Sequence, residues 1–424
     1  MKKLSQEELK SALFEMGENA LVASRLLATA PSALKNECIE MTAKVIEQDK
    51  DHIISENQKD IDAAIKNGLS KAMIDRLRLD ETRVEDMVRG LRQIVSLEDP
   101  VGEILSSTVR PNGLEIRKIS VPIGVIAIIY ESRPNVTIDS AALCLKAGNA
   151  VILRGGSEAI NSNLALVHCI TKACQEAVLD RNAVQLIPWT DREAVSVMLK
   201  MNQYIDLVIP RGGENLIRKV VAESAIPVIK HYKGVCHIYI DKNCNFKMAL
   251  NLIENAKCQR PGTCNAAEHL LIHNEIADKI APKIAERLLP RGVELRGDNI
   301  FCGLVKEAKP VTDNEWYEEY NDLILSSRVV PDLDSAIAHI NKYGSRHSDC
   351  VVTNDKQTAE QFMAQVDSAV VYHNASTRFT DGFEFGMGAE IGISTDKIHA
   401  RGPMGLKELT SYKYLVYGSG QERK

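Results

Sequence analysis

The chain has 424 residues, 45% of them hydrophobic and 26% charged, with a formal net charge of −5 at pH 7. That length holds two or three domains with real cores, and the mild acidic excess argues against nucleic-acid binding or adsorption to a membrane. The ten cysteines form no CxxC pair and no His-Cys cluster, so no metal site is expected. No signal peptide is visible, and the longest clean apolar run, residues 121–130, is about half a membrane span. A reducing cytoplasm, where free thiols persist, is the expected compartment.

The first hundred residues read as helices. Ser5 and Glu8 form a capping box, followed by Leu9, Ala12, Leu13 and Met16 at helical spacing. Apolar positions after Pro31, and again at Met87, Leu91, Ile94 and Val95, predict further helices. From Pro122 onward, strands alternate with helices. Strands are predicted over 125–129, 151–153, 184–187 and 205–209, with helices after each. Continuous apolar strands between helices mean a parallel, doubly wound sheet with its glycine-rich turns at the carboxyl edge. A second α/β unit starts near His237, with strands predicted over 238–240, 350–352 and 369–372. Residues 114–119 are expected to form a projecting arm that pairs with the terminal strand, 409–414.

Three constellations carry chemistry. The first is Gln259-Arg260-Pro261-Gly262-Thr263-Cys264-Asn265. An unpaired cysteine is more often a small buried hydrophobe than a nucleophile. Here Pro261 and Gly262 set a tight turn that aims the thiol, and Arg260 favours its thiolate. The Asn265 side chain and the Cys264 amide offer an oxyanion hole. The second is a pair of glycine turns directly after strands, Arg154-Gly155-Gly156-Ser157 and Arg211-Gly212-Gly213. Glycines let a backbone approach a dinucleotide, and the arginines suit a 2'-phosphate; as plain turns with solvated arginines they would mean nothing. The third is the polar run 374–382, where Arg378, with Ser376 and Thr377, suits a carboxylate or phosphate. The glycine-rich segment 386–392 reads equally as a loop over a cleft or as a linker.

These segments resemble the gamma-glutamyl phosphate reductases, or glutamate-5-semialdehyde dehydrogenases, of the aldehyde dehydrogenase superfamily. The resemblance rests on Val121-Pro122-Ile123-Gly124-Val125, Tyr130-Glu131-Ser132-Arg133-Pro134-Asn135-Val136-Thr137, Leu153-Arg154-Gly155-Gly156-Ser157-Glu158, Asn255-Ala256-Lys257, Gln259-Arg260-Pro261, Cys264-Asn265-Ala266, residues 374–386 and His399-Ala400-Arg401-Gly402-Pro403-Met404-Gly405. It implies that Cys264 attacks L-glutamyl 5-phosphate and expels phosphate, and that NADPH reduces the resulting thioester to glutamate 5-semialdehyde, the second step of proline biosynthesis. It implies that Asn135 helps to polarise the carbonyl, and that Arg154 stands where oxidising relatives carry a cofactor-binding lysine. Those relatives use a glutamate upstream of the cysteine to activate water. The comparable segment, Ile229-Lys230-His231-Tyr232-Lys233-Gly234, has none. Arg346, where a smaller or uncharged residue is expected, and Cys258 also depart from the pattern.

The implied architecture is α/β and aldehyde dehydrogenase-like. A Rossmann-type NADPH domain takes 1–107 and 121–232 with a late segment near 380–400; a catalytic domain takes 233–376; a β oligomerisation arm takes 108–120 and 404–420. The arm implies a homodimer or larger homo-oligomer, and a labile acyl phosphate would suit transient contact with glutamate 5-kinase. Two other readings stay open: a non-phosphorylating aldehyde dehydrogenase for a small aldehyde, and an inactive scaffold for the upstream kinase.

Overall fold

The computed structural model describes residues 4–423. The chain divides into two compact units. One takes residues up to 230, 386–392 and the segment from 404 on; the other takes 231–385 and 393–403.

The first unit opens with helices α1 (Gln6–Leu27), α2 (Ser32–Gln48), α3 (Lys50–Lys66), α4 (Lys71–Leu77) and α5 (Glu81–Ser96). The expected capping box closes the start of α1, with Ser5 and Glu8 bonding reciprocally. Strands β1 (Ile104–Val109) and β2 (Glu115–Pro122) lead into β3 (Val125–Tyr130), α6 (Asn135–Lys146), β4 (Ala150–Arg154), α7 (Ile160–Glu176), β5 (Val184–Leu186), α8 (Arg192–Met198), β6 (Leu207–Arg211) and α9 (Glu214–Glu223). The four parallel strands run in the order β5-β4-β3-β6. Every residue of β3 is buried, as an apolar run covered on both faces requires. α6 starts at Asn135, directly after Pro134, which fixes the turn before it.

The second unit contains β7 (Cys236–Ile240), α10 (Phe246–Cys258), β8 (Ala267–His273), α11 (Asn274–Leu288), β9 (Glu294–Gly297), α12 (Asn299–Leu304), β10 (Lys309–Pro310), β11 (Ile324–Val330), α13 (Leu333–Tyr343), β12 (Ser348–Val352), α14 (Lys356–Gln365) and β13 (Val370–His373). Its seven parallel strands run β10-β9-β11-β8-β7-β12-β13. Ile238, Ile240, Leu270, Ile272, Leu295 and Leu325 build the core on one face with α10 and α11. Tyr239, Leu271, Val351 and Phe362 build it on the other.

The chain then passes through the short strands β14 (Gly392–Ser394) and β15 (Gly402–Met404) and ends in β16 (Thr410–Tyr417). β16 pairs antiparallel with β2 over eight residues, and β1 pairs with the other side of β2, so the arm is a three-stranded sheet.

Candidate active site

In the second unit, Pro261 and Gly262 end α10 and turn the chain back into β8. Cys264 therefore sits at the amino edge of β8, half-buried. Its carbonyl oxygen accepts the Cys236 thiol at 3.3 Å. Its main chain lies against Gly234, just ahead of β7. A Cβ at Gly234 would stand 1.9 Å from that oxygen and 2.5 Å from the Cys264 Cα. Only glycine permits this approach.

The polar run after β13 is built directly onto this turn. Thr377 Oγ1 donates to the Asn265 carbonyl at 2.7 Å. The Asn265 amide donates to the carbonyls of Thr380 (2.9 Å) and Arg378 (3.4 Å). Both its hydrogens are thus committed to the loop, which argues against the oxyanion role expected of this side chain; Asn265 braces the turn instead. Arg378 Nε donates to Gln259 Oε1 at 2.8 Å, and its Nη1 to Asn265 Oδ1. Ser376 Oγ accepts the Arg378 amide at 3.3 Å. Burial, and then the like charge of Arg260, hold the Arg378 guanidinium below its ordinary pKa, while Cys264 and Asp381 pull it back up. Two guanidiniums close enough to repel, beside a thiol, form a place for an anion.

Behind the turn, Ser348 Oγ lies 2.9 Å from His347 Nδ1 and 2.6 Å from Thr380 Oγ1, and the Tyr372 hydroxyl lies 2.8 Å from Thr380 Oγ1. Burial pushes His347 down to about 3, so it is neutral at pH 7 and a poor proton acceptor. Gly234, Cys236 and His347 were not expected at the site; Gln259 lies in the expected motif, where no role was assigned to it. Only the glycine ahead of a strand carried a signal. Arg346, the position expected to be smaller, has a left-handed φ of 63° and pairs with Asp367 at 3.6 Å. Lys397 (2.7 Å) and Arg401 (2.8 Å) hold the same carboxylate, which falls to about 2.

The first unit holds the two glycine turns. Arg154 ends β4 and donates to the carbonyls of Gly155 (2.8 Å) and Thr190 (3.0 Å); its buried Nε has no partner. A Cβ at Gly156 would stand 2.1 Å from Glu158 Oε1, which accepts the Ser132 amide and hydroxyl, both at 2.7 Å. The Gly213 amide donates to Glu131 Oε2 at 2.9 Å. Arg211 lies against Gly392, where any side chain would collide with its guanidinium. Ser157 opens a single 3-10 turn before α7. Two carboxylates at the turns and an orphaned guanidinium nitrogen fit a dinucleotide, the first as acceptors for ribose hydroxyls and the second as a donor to its phosphates. Asn135 opens α6 and donates to Asp139 Oδ2 at 3.0 Å, and burial pushes Asp139 up to about 6.

Among the described residues no helix is long and apolar enough to cross a membrane, and no group of three or more His, Cys, Asp or Glu side chains is placed to hold a metal ion.

Residues 5–321 match the Aldehyde dehydrogenase family. The chain is 53% identical over 407 residues to the gamma-glutamyl phosphate reductase of Clostridium botulinum (strain Eklund 17B / Type B), covering 96% of this chain and 98% of that one. It is 53% identical over 411 residues to that of Carboxydothermus hydrogenoformans, covering 97% and 99%. The crystal structure of the Thermotoga maritima gamma-glutamyl phosphate reductase superposes with a TM-score of 0.96 at 44% identity, over 97% of this chain and 100% of that one. An acetylating aldehyde dehydrogenase from Geobacillus thermoglucosidasius shares the fold, with a TM-score of 0.72 at 15% identity over 99% of each chain.

Proposed function

Because this chain belongs to the gamma-glutamyl phosphate reductases of the aldehyde dehydrogenase family, we propose that it reduces L-glutamyl 5-phosphate to L-glutamate 5-semialdehyde through a thioester on Cys264. The observation that carries this is the placement of Cys264 beside Arg378 and Arg260 on a loop braced by Asn265 and Thr377.

The chemistry follows from that placement. The Cys264 thiolate attacks the acyl carbon; a C–S bond forms, the C–O bond to phosphorus breaks, and inorganic phosphate leaves. An acyl phosphate carries its own good leaving group, so its displacement by Cys264 requires no imidazole to protonate the departing oxygen. Arg378 and Arg260 hold the anionic substrate and offset the charge that develops on the departing phosphate. The resemblance gives Asn135 a share in polarising the carbonyl, and the proposal keeps it. Arg154, Gly155, Gly156 and Ser157, with Arg211, Gly212 and Gly213, would hold NADPH. When bound, the cofactor supplies the hydride that reduces the acyl group. Cys264 then leaves as the thiolate, ready for the next substrate.

The absence of a glutamate in residues 229–234 favours reduction over hydrolysis. A carboxylate does come near Gly234 from elsewhere, that of Glu319; burial raises its pKa, and the Gly234 amide and the Asn321 side chain counter that rise. Its role is to brace a loop. All ten cysteines are free, in keeping with a reducing cytoplasm. The three-stranded arm is the surface through which a second copy would join, and the labile substrate favours transient contact with the kinase that makes it.

The test is run in reverse. Glutamate semialdehyde should reduce NADP only when phosphate or arsenate is present. Phosphate-independent formation of glutamate would contradict the proposal and favour the non-phosphorylating dehydrogenase.

A further inference from the structure

The loop that carries Cys264 leaves α10 and enters β8, and a charged residue stands at each of its feet. Lys257 in the last turn of α10 and Glu268 at the second position of β8 are fully buried, with Nζ and Oε2 2.8 Å apart. Apolar side chains of the same volume would hold such a position at no cost in stability. The pair therefore calls for an account beyond stability.

Its surroundings supply one. The other Glu268 oxygen lies 3.4 Å from the Asn321 amide, and Asn321 has a left-handed φ of 54°. Burial raises the pKa of the nearby Glu319 carboxyl, and the Gly234 amide and the Asn321 side chain counter that rise. Gly234 lies on the Cys264 main chain, and the Cβ position of Gly262 faces the Asn321 carbonyl at 3.7 Å. Lys257, Glu268 and Asn321 are thus linked at the feet of the loop, and Asn321 and Gly234 meet its backbone at Gly262 and Cys264.

We infer that Lys257, Glu268 and Glu319 are positioning residues that clamp the Cys264 loop so that its thiol is presented in one geometry. The inference rests on Cys264 being the nucleophile. Lys257 from α10, Glu319 from the segment before β11, Lys233 and Cys236 from either side of the start of β7, and His269 from β8 are the titratable groups facing the cluster. Burial outweighs the attraction of Lys257 and pushes Glu268 up to about 7; burial raises Glu319 as well. The clamp thus takes up a proton as the pH falls through neutrality, and the charge of Lys257 loses its counterpart.

The experiment measures the rate at which iodoacetamide alkylates Cys264, read by mass on its own peptide, as a function of pH. It is run alongside kcat and the KM for NADPH. Removing both charges together, in Lys257→Met/Glu268→Leu, avoids stranding one in the core. That variant should fold, alkylate Cys264 at least 10-fold more slowly, lose kcat in step with KM unchanged, and lose the inflection near pH 7. Glu319→Leu should slow alkylation similarly, and Glu319→Gln, which keeps an acceptor for Gly234, should restore it. Wild-type alkylation rates and pH profiles in both the double variant and Glu319→Leu would overturn the clamp. Turnover surviving in Cys264→Ala would instead overturn the reading of the site.

Discussion

Gly234 and Cys264 meet backbone to backbone, so that a single methyl group at Gly234 would stand 1.9 Å from the Cys264 carbonyl oxygen. Neither main chain can retreat easily, since one leads into β7 and the other into β8, paired neighbours in the central sheet. Gly234→Ala is expected to displace the thiol, lowering kcat by about 100-fold or more and stability by roughly 1–3 kcal/mol. Steady-state kinetics with thermal denaturation checks both.

Arg378 bonds through two different nitrogens, to Gln259 and to Asn265. A lysine keeps the charge but not this fork. Arg378→Lys should therefore lose kcat/KM on the order of 10-fold or more, mostly through KM for the acyl phosphate. A variant with unchanged KM would show that Arg378 serves the loop alone.

Glu268 fixes a sign for the pH dependence of stability. Its folded pKa, about 7, lies above its ordinary value of 4.5. The folded state therefore binds more protons in that window, and this contribution to stability is present below the lower value and lost as the pH rises through the upper one. Relative to Glu268→Gln, the wild type should lose stability between the two values by up to about 1.4 kcal/mol per pH unit. Denaturant titrations of both proteins across that window measure the difference.

The arm leaves apolar side chains in the open on both outer strands: Val109 on β1 is 69% exposed, and Tyr414 and Val416 on β16 are 58% and 56% exposed. Unpaired edges of this kind seek a partner strand. Tyr414→Lys/Val416→Lys should shift the particle to a smaller mass in light scattering while each protomer stays folded. An unchanged mass would contradict the proposal that the arm joins two copies.

What the chain discloses by itself follows burial chemistry. β3, β4 and β7 were legible because each buries an almost unbroken apolar run, and β12 through its Cys350-Val351-Val352 end. β8 and β11 were not read as strands. Glu268, His269 and His273 in β8, and Ser326 and Ser327 in β11, look solvent-facing in a linear reading, yet all are buried. Glu268 can be buried because Lys257, eleven residues away, comes with it. Within the helical first hundred residues, α3 was not singled out for a similar reason. Its Asp60 is buried because it accepts the Asn161 and Ser162 amides and so caps α7 from a distance. The site residues were legible where they lie in one contiguous motif, as with Arg260, Cys264 and Asn265. The bracing of Asn265 by Thr380 and the approach of Gly234 join positions far apart in the chain, and no local pattern announces them.

The central claim is that Cys264 takes the acyl group from an acyl phosphate. Incubating the enzyme with L-glutamyl 5-phosphate and no cofactor, then measuring phosphate release and the mass of the Cys264 peptide, tests it most directly. The expected result is one phosphate released per active site and a peptide heavier by one glutamyl group, with both signals absent in Cys264→Ala. An unmodified Cys264 peptide, or acylation of a different residue, would contradict it.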